Sequence, residues 1–216
     1  SYERSWIRDG ALTSAALLKM GLQKEVKQFA EWYSKYLYPN GMVPCVVDKR
    51  GPDPVPENDS NGEFIYLIYQ YYRYTGDKDF IKNLFPKVED AVGFIRHMIA
   101  QRSTDHFKNN PNDSIRSLYG LVPESISHEG YSDKPMHSYW DNFFTLLGLK
   151  DAVTMAKLIG RKDLAASWSA TRDSFETNLY NSIKLAIKRT GIDYIPGCAE
   201  KGDFDATSTT IAVYPG

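Results

Sequence analysis

Residues 139–180 have the sequence YWDNFFTLLGLKDAVTMAKLIGRKDLAASWSATRDSFETNLY, and this stretch decides the fold. Its first half, 139–159, is apolar on almost every side, which predicts a helix that is buried all round. Gly160 ends this helix, and the next segment, 162–180, repeats apolar side chains at helical spacing on one face: Leu164, Trp168, Phe175 and Leu179. The stretch therefore predicts a hairpin of one buried helix and one amphipathic helix.

The same pairing occurs twice earlier in the chain. Segments 9–20 and 64–74 are rich in apolar residues over much of their circumference, whereas their partners 24–37 and 86–102 have a single apolar stripe. Each turn has a glycine where the end of a helix requires a positive φ: Gly21, Gly76 and Gly160.

The links between the hairpins are long, at 38–60, 103–136 and 181–206. Antiparallel inner and outer helices would put all the glycine turns at one end and all the long links at the other. We therefore expect an all-α fold, three hairpins of an α/α toroid, with a short β-like segment at 192–195. Long loops on one face of a helical scaffold are where function usually lies.

The composition excludes several classes of protein. The 26 Lys and Arg residues against 27 Asp and Glu residues leave no basic excess to neutralise nucleic-acid phosphates. No run of about 18 apolar residues is present, so we expect no membrane span. The aromatic content of 13% argues against disorder.

The chain begins at Ser1 without an initiator Met, and Trp6–Asp9 already has the pattern of a packed motif. We therefore expect residues 1–216 to be a single domain cut from a longer protein. Such a piece would expose apolar edges through which it could self-associate. The two cysteines, Cys45 and Cys198, fit either two buried thiols or one disulfide.

Four polar clusters fall on the face of the long links, at 2–10, 56–63, 123–142 and 198–205. Each combines carboxylates with aromatic rings or amides. This mixture suits a carbohydrate, because rings stack on the C–H faces of a sugar while Asp, Arg and Asn bind its hydroxyls.

Each of these residues also has a purely structural interpretation. Asp9, Asp59 and Asp141 could satisfy N–H groups in the first turn of a helix. Arg8 with Asp9 could be an ion pair, and Trp6 and Trp140 could belong to the core. The coincidence of the clusters on one face favours function.

Motifs of other chemistries are absent from the sequence, including phosphate loops, G-x-S-x-G and H-E-x-x-H. A metal site from His128 and His137 with Glu124, Glu129 and Asp133 lacks a compact ligand spacing, so we expect neither a metal nor another cofactor.

Trp6-Ile7-Arg8-Asp9-Gly10 resembles the W-x-R-D motif of the glucoamylase family in the six-hairpin (α/α)6 glycosidase superfamily, which includes trehalases. Three further stretches resemble the second loop, the entry to the fifth helix and a poorly characterised bacterial branch: Pro56–Asp59, Ser138–Phe144 and Gly202–Thr210. The resemblance covers nearly the whole chain and implies a glycosidase.

The resemblance implies a role for each matching position. Arg8 and Asp9 would hold sugar hydroxyls in the −1 subsite with Trp6 as its wall, and Asn58 and Asp59 would add contacts. Further candidate substrate-binding residues in the clusters are Glu129, Trp140, Asp203 and Asp205.

The resemblance implies a general acid at Glu124 or Glu129, as in glucoamylases, or at Asp141, as in trehalase-like enzymes; we favour Asp141, with Glu124 second. An acid here needs a pKa raised by burial or by a neighbouring carboxylate. The superfamily is typically inverting, and its general base lies beyond the sixth helix, after the last residue of this chain. We therefore expect half of an inverting, exo-acting glycosidase, inactive by itself. Exported members of the superfamily favour a secreted or periplasmic location over the cytoplasm.

Three alternatives remain open. One is a non-catalytic carbohydrate-binding α/α protein. Another is a glycoside phosphorylase, which needs a cationic or amide-rich phosphate pocket that the four clusters lack. The third is another α/α-toroid enzyme, of which a polysaccharide lyase could use His128, His137 and Tyr139, whereas a terpene cyclase would need acidic repeats.

Overall fold

The computed structural model of the protein describes residues 3–128 and 130–213. The described chain is mostly helical, as the sequence predicts. Its α-helices are α1 Ile7–Lys19, α2 Gln23–Tyr33, α3 Ser60–Thr75, α4 Lys78–Arg102, α5 Asp105–Lys108, α6 Asp113–Arg116, α7 Tyr139–Leu158, α8 Lys162–Thr190 and α9 Ala206–Ile211. A 3-10 turn, Ser34–Tyr36, follows α2.

Three short strands form one antiparallel sheet: β1 Ser5–Trp6, β2 Val46–Asp48 and β3 Gly51–Pro52. Trp6 pairs with Val46, and Asp48 pairs with Gly51. The sheet joins the entry of α1 to the first long link.

The chain divides into two compact units, each described here by itself. The first unit comprises the described residues within Ser1–Pro56, Ser60–Phe94 and Gly148–Ser169. The second comprises those within Glu57–Asp59, Ile95–Leu147 and Ala170–Gly216.

In the first unit, α1 packs against α2 and α3. Asn61 at the start of α3 fixes the first long link, because its Oδ1 accepts from Val43 N at 3.1 Å and its Nδ2 donates to Gly41 O at 2.9 Å. Gly148 of α7 allows the backbone of Gly62 to come so close that a Cβ at residue 148 would lie 2.7 Å from the Gly62 Cα.

The predicted contrast between buried and amphipathic helices is confirmed for two hairpins. Residues 60–68 of α3 and 139–149 of α7 are buried without interruption. In their partner helices α4 and α8, by contrast, buried residues alternate with exposed ones along the helix. The three turn glycines have the expected positive φ, at +83°, +68° and +80° for Gly21, Gly76 and Gly160.

Helix α1 differs from the expectation of an apolar circumference. Ala11, Ala15 and Leu18 are buried, whereas Ala16 is exposed. A small alanine side chain tolerates either environment, so the pattern alone does not fix how much of the helix is covered.

Four predicted helix boundaries are wrong. Helix α2 ends at Tyr33 rather than at residue 37, with a 3-10 turn after it, and α3 begins at Ser60 rather than at residue 64. Helix α4 begins at Lys78 rather than at Pro86, because the Asp77 carboxylate accepts from Phe80 N at 2.9 Å and starts the helix there. Pro86 lies inside the helix, where it has no N–H to donate to the preceding turn. Helix α8 continues ten residues beyond the predicted end at Tyr180, to Thr190.

The predicted β-like segment at 192–195 is also wrong. Side chains fix this segment as a loop, since Thr209 Oγ1 donates to Ile195 O at 3.0 Å and Tyr194 Oη donates to Gly202 O at 3.1 Å. The nearby β-bridge joins Ser138 to Cys198 instead. Both cysteines are buried thiols rather than a disulfide, and burial raises the pKa of Cys198 to about 12.

Candidate active site

The most unusual group of the second unit is the carboxyl of Asp141, in the first turn of α7. Asp141 is fully buried, and its Oδ2 accepts a hydrogen bond from Ser125 Oγ at 2.5 Å. Among the described residues, no donor reaches its Oδ1.

The surroundings of Asp141 favour its protonated form. Burial, above all, raises its pKa well above the usual value, and the nearby carboxylates of Asp59 and Glu57 raise it further. The hydrogen bond from Ser125 acts in the opposite direction but does not outweigh burial. The surroundings of Asp141 therefore favour a neutral carboxyl over a carboxylate.

The side chains of Asp59 and Trp140 form a hydrogen bond near the Asp141 carboxyl. The indole Nε1 of Trp140 donates to Asp59 Oδ2 at 2.7 Å, and both residues are buried. The imidazole of His128 stacks on Trp140 with 4.8 Å between ring centroids and 27° between planes. The two predicted substrate-binding residues thus belong to one cluster with Asp141.

A loop of serines supports the cluster. Ser127 N donates to Ser125 Oγ at 3.1 Å, and Ser127 Oγ donates to Ser138 Oγ at 2.9 Å. Ser127 and His128 have φ angles of +43° and +27°, which non-glycine residues rarely adopt. Such strain is typical of functional sites and persists only where the surroundings enforce it.

Glu124 lies in a different electrostatic environment. Its Oε2 forms an ion pair with Arg102, and His137 Nε2 lies 3.4 Å from the same oxygen. Partial burial by itself would raise the pKa of Glu124, but hydrogen bonds from its own backbone N–H and from Arg102 hold the pKa below its usual value. Glu124 is half-exposed and ionised, which suits binding better than proton donation.

His137 connects this ion pair to Glu200. Arg102 Nε donates to His137 Nε2 at 2.9 Å, which leaves His137 Nδ1 to donate to Glu200 Oε1 at 2.6 Å. Burial opposes the ionisation of Glu200, yet the hydrogen bonds from His137 lower its pKa. The chain Glu200–His137–Arg102–Glu124 fixes the orientation of the guanidinium.

The remaining predicted residues of the second unit bind other parts of the protein. Asn58 Nδ2 donates to Pro123 O at 2.8 Å and so fixes the segment before α3 against the loop that contains Glu124. Asp203 accepts from Tyr131 Oη at 3.1 Å. Asp205 caps α9 by accepting from Thr207 N at 3.0 Å. Glu129 lies outside the described residues.

The W-x-R-D motif belongs to the first unit. Trp6 lies in β1, Arg8 and Asp9 lie in the first turn of α1, and the Arg8 guanidinium carbon is 5.5 Å from the Trp6 ring centroid. Asp9 is exposed and, together with Trp6 and Phe29, lines a groove of about 320 Å³. This groove is a surface that a hydroxylated ligand can reach.

Sequence reasoning missed several members of the acid cluster and of the ion-pair chain: Glu57, Ser125, Ser127, Arg102 and Glu200. Glu57 and Glu200 belong to the polar clusters at 56–63 and 198–205, so the composition of these clusters could have identified them as candidates. The serines and Arg102 gave no signal, because their roles depend on the fold of the loop.

The described part of the chain contains no group of three His, Cys, Asp or Glu residues arranged to hold a metal ion. His128 Nε2 lies 3.3 Å from Asp205 Oδ2, whereas His137 binds Glu200 and Arg102. Across residues 3–128 and 130–213, no helix combines the length and the apolar character needed to cross a bilayer.

Glycosidases use pairs of carboxyl groups whose environments give them different pKa values, and the raised pKa of Asp141 beside Asp59 and Glu57 is compatible with such a pair. Comparison with known proteins points the same way. The model of the amylo-alpha-1,6-glucosidase family matches residues 1–110, about half of the chain, and the chain belongs to this family.

Among curated proteins, an uncharacterised glycosyl hydrolase of Methanocaldococcus jannaschii is 24% identical over 172 residues, which are 79% of this chain. The chain spans only 24% of the length of that relative. A solved structure of an uncharacterised conserved protein from Thermus thermophilus shares the fold, with a TM-score of 0.52 and 13% identity. That match covers 99% of this chain and 64% of the other.

Proposed function

We propose that this chain supplies the general acid of an inverting, exo-acting glycoside hydrolase of the six-hairpin barrel type, with Asp141 as the acid. The observation that carries the proposal is the buried Asp141 carboxyl, whose pKa is raised by burial and by Asp59 and whose Oδ1 has no donor among the described residues. The family match supports an α-1,6-linked glucosyl residue as the substrate.

In this mechanism the proton of Asp141 goes to the glycosidic oxygen as the C–O bond breaks. Since Oδ2 accepts from Ser125, the proton belongs on Oδ1, which is the oxygen free to meet the substrate. A water molecule attacks the opposite face of the sugar and gives its proton to a general base. In inverting enzymes this base stands about 6.5–9.5 Å from the acid. We propose that residues outside this chain provide it.

Asp141 is fully buried, so a substrate can reach it only if the groups that cover it move. Ser127 and His128, close in sequence to its hydrogen-bond partner Ser125, hold a strained backbone. Each such conformation costs about 1–3 kcal/mol, and release of this strain would offset part of the free energy of opening.

The test is hydrolysis by the longer protein that the proposal requires, with Asp141→Asn and with Asp151→Asn as the matched control. Asp151 is also a buried acid with a raised pKa, but it lies in the first unit. Loss of a general acid lowers the rate by roughly 10²–10⁴-fold on an α-1,6-linked oligosaccharide. A glycosyl fluoride, whose leaving group needs no proton, should retain most of its rate.

Wild-type rates for Asp141→Asn on both substrates would refute the assignment and make Glu124 the next candidate acid. Equal losses on both substrates would indicate a damaged fold rather than a missing proton donor.

The complete burial of Asp141 favours one second candidate, a carbohydrate-binding protein without catalysis. Calorimetric titration of this chain with mono- and disaccharides, with Asp9→Ala as the binding-deficient variant, tests it. Binding that Asp9→Ala abolishes, combined with a longer protein that hydrolyses nothing, would favour this second function.

A further inference from the structure

The second unit contains a cavity of about 410 Å³ that the proposed glycosidase site does not use. It lies against the ends of α5 and α6 and one face of α8. Its walls are Lys108, Arg116, Tyr119, Asn178, Asn181, Lys184 and Leu185. None of these residues belongs to the Asp141 cluster or to the ion-pair chain.

The cavity wall has an excess of positive charge. Arg116 is neutralised by an ion pair with Asp113, and its Nη1 also donates to Asn110 O at 2.8 Å. Within the described ranges, neither Lys108 nor Lys184 has a carboxylate within 4.0 Å. Lys108 lies 5.9 Å from the ring centroid of Tyr119 instead. Two cations on one concave surface thus lack a counter-charge from the described part of the protein.

The other walls suit a polyhydroxylated ring. Asn178 and Asn181 each offer an amide that can donate to and accept from hydroxyl groups. Asn178 packs against the backbone of Gly120, since a Cβ at Gly120 would lie 2.2 Å from its Nδ2. The Tyr119 ring and the Leu185 side chain provide apolar surface, and the volume lies within the range of about 300–1,000 Å³ for small-molecule sites.

We propose that this cavity binds a phosphate-bearing sugar, with the phosphate between Lys108 and Lys184 and the sugar hydroxyls at Asn178 and Asn181. Lysine ammonium groups bind phosphate as point charges, and the fixed guanidinium of Arg116 adds a planar donor. A neutral sugar would leave both lysines without a counter-charge, so the charge of the cavity selects the phosphorylated form. This inference is independent of the role of Asp141.

The test is calorimetric titration of the chain with glucose 6-phosphate, with glucose and with inorganic phosphate. We expect glucose 6-phosphate to bind, inorganic phosphate to bind about tenfold more weakly because it lacks the amide contacts, and glucose not to bind. Lys108→Gln and Lys184→Gln should each weaken binding of glucose 6-phosphate by roughly three- to tenfold, and higher salt should weaken it further.

The matched control is Lys162→Gln, an exposed lysine of the same helix α8 that does not line the cavity. It should leave the affinity unchanged, and thermal unfolding should give the same Tm for all variants. Equal affinity for inorganic phosphate and glucose 6-phosphate would overturn the sugar part of the proposal. No binding, or binding that the Lys108→Gln and Lys184→Gln double variant retains, would overturn it entirely.

Discussion

Replacing Asp141 by asparagine should change how the stability of the protein depends on pH. Asparagine has the shape of a protonated aspartic acid and cannot ionise. Its amide oxygen can still accept the hydrogen bond from Ser125, which Asp141 Oδ2 accepts in the wild type. The variant therefore removes the ionisation of the buried group and keeps most of its packing.

The sign of the effect follows from proton binding. The pKa of Asp141 in the folded state lies well above the ordinary value of 3.8, so between these two values the folded state holds a proton that the unfolded state has lost. The stability that this group contributes is fully present below pH 3.8 and is lost as the pH rises through the folded pKa. One proton gives a slope of about 1.4 kcal/mol per pH unit in the free energy of unfolding.

The free energy of unfolding of Asp141→Asn should thus rise, relative to that of the wild type, by about 1.4 kcal/mol per pH unit. The difference levels off once the pH passes the folded pKa of Asp141. A constant offset of about 1–3 kcal/mol opposes this gain, because the new amide N–H groups replace an oxygen that has no donor partner among the described residues and are left unsatisfied. The offset shifts the whole curve but does not change its slope.

Urea unfolding of both proteins at half-unit steps from about pH 5 to pH 8, followed by tryptophan fluorescence, gives the two free energies. Asp59→Asn supplies an internal control. Its amide oxygen can still accept from Trp140 Nε1, but it no longer raises the pKa of Asp141 by its charge. In the Asp59→Asn background, the change in stability caused by Asp141→Asn should level off at a lower pH. A difference that stays constant over the whole pH range would refute a raised pKa at Asp141.

Three further predictions follow from named contacts. Gly148→Ala should destabilise the fold by about 1–3 kcal/mol in urea unfolding, because its Cβ meets Gly62 at 2.7 Å, whereas Gly93→Ala in α4 meets nothing and should stabilise it by about 1 kcal/mol. Asp151→Asn should show the same pH slope as Asp141→Asn, because burial raises its pKa too, yet leave hydrolysis unchanged; a loss of rate would contradict this. Glu124→Gln should not shift the alkaline limb of the dependence of kcat on pH, because a group whose pKa is lowered cannot define that limb. A shifted limb would instead identify Glu124 as the acid.

Features that depend on local stereochemistry could be predicted from the sequence. Each turn glycine, such as Gly76, ends a helix in a conformation that other residues adopt only with strain, and the structure confirms the positive φ. The start of α4 was missed because two local signals compete. Pro86 is favoured in a first turn, but Asp77 caps the helix further upstream, and the apolar face of residues 80–85 extends it.

The candidate site could be predicted only in part. Asp59, Trp140 and Asp141 lay in the expected clusters, but the bond between Trp140 and Asp59 spans 81 positions in sequence and depends on the tertiary fold. Ser125 and Ser127 are ordinary loop residues in the sequence. Their role follows from hydrogen bonds that the tertiary fold creates, from Ser125 to Asp141 and from Ser127 to Ser125, and no composition signal reveals them.

Burial alone does not distinguish a functional acid from a structural one, as the two buried aspartates of α7 demonstrate. Both carboxyls have one oxygen without a described donor, and burial is the largest cause of the raised pKa in both. At Asp151 the next influences are Arg73 and Lys150, whose charges lower the pKa and favour the ionised form. At Asp141 the next influence is the carboxylate of Asp59, which favours the protonated form. The pKa is raised at both residues, but only at Asp141 does a neighbouring carboxylate add to the effect of burial. The sign of the neighbouring charges, rather than the depth of burial, therefore marks Asp141 as the candidate acid.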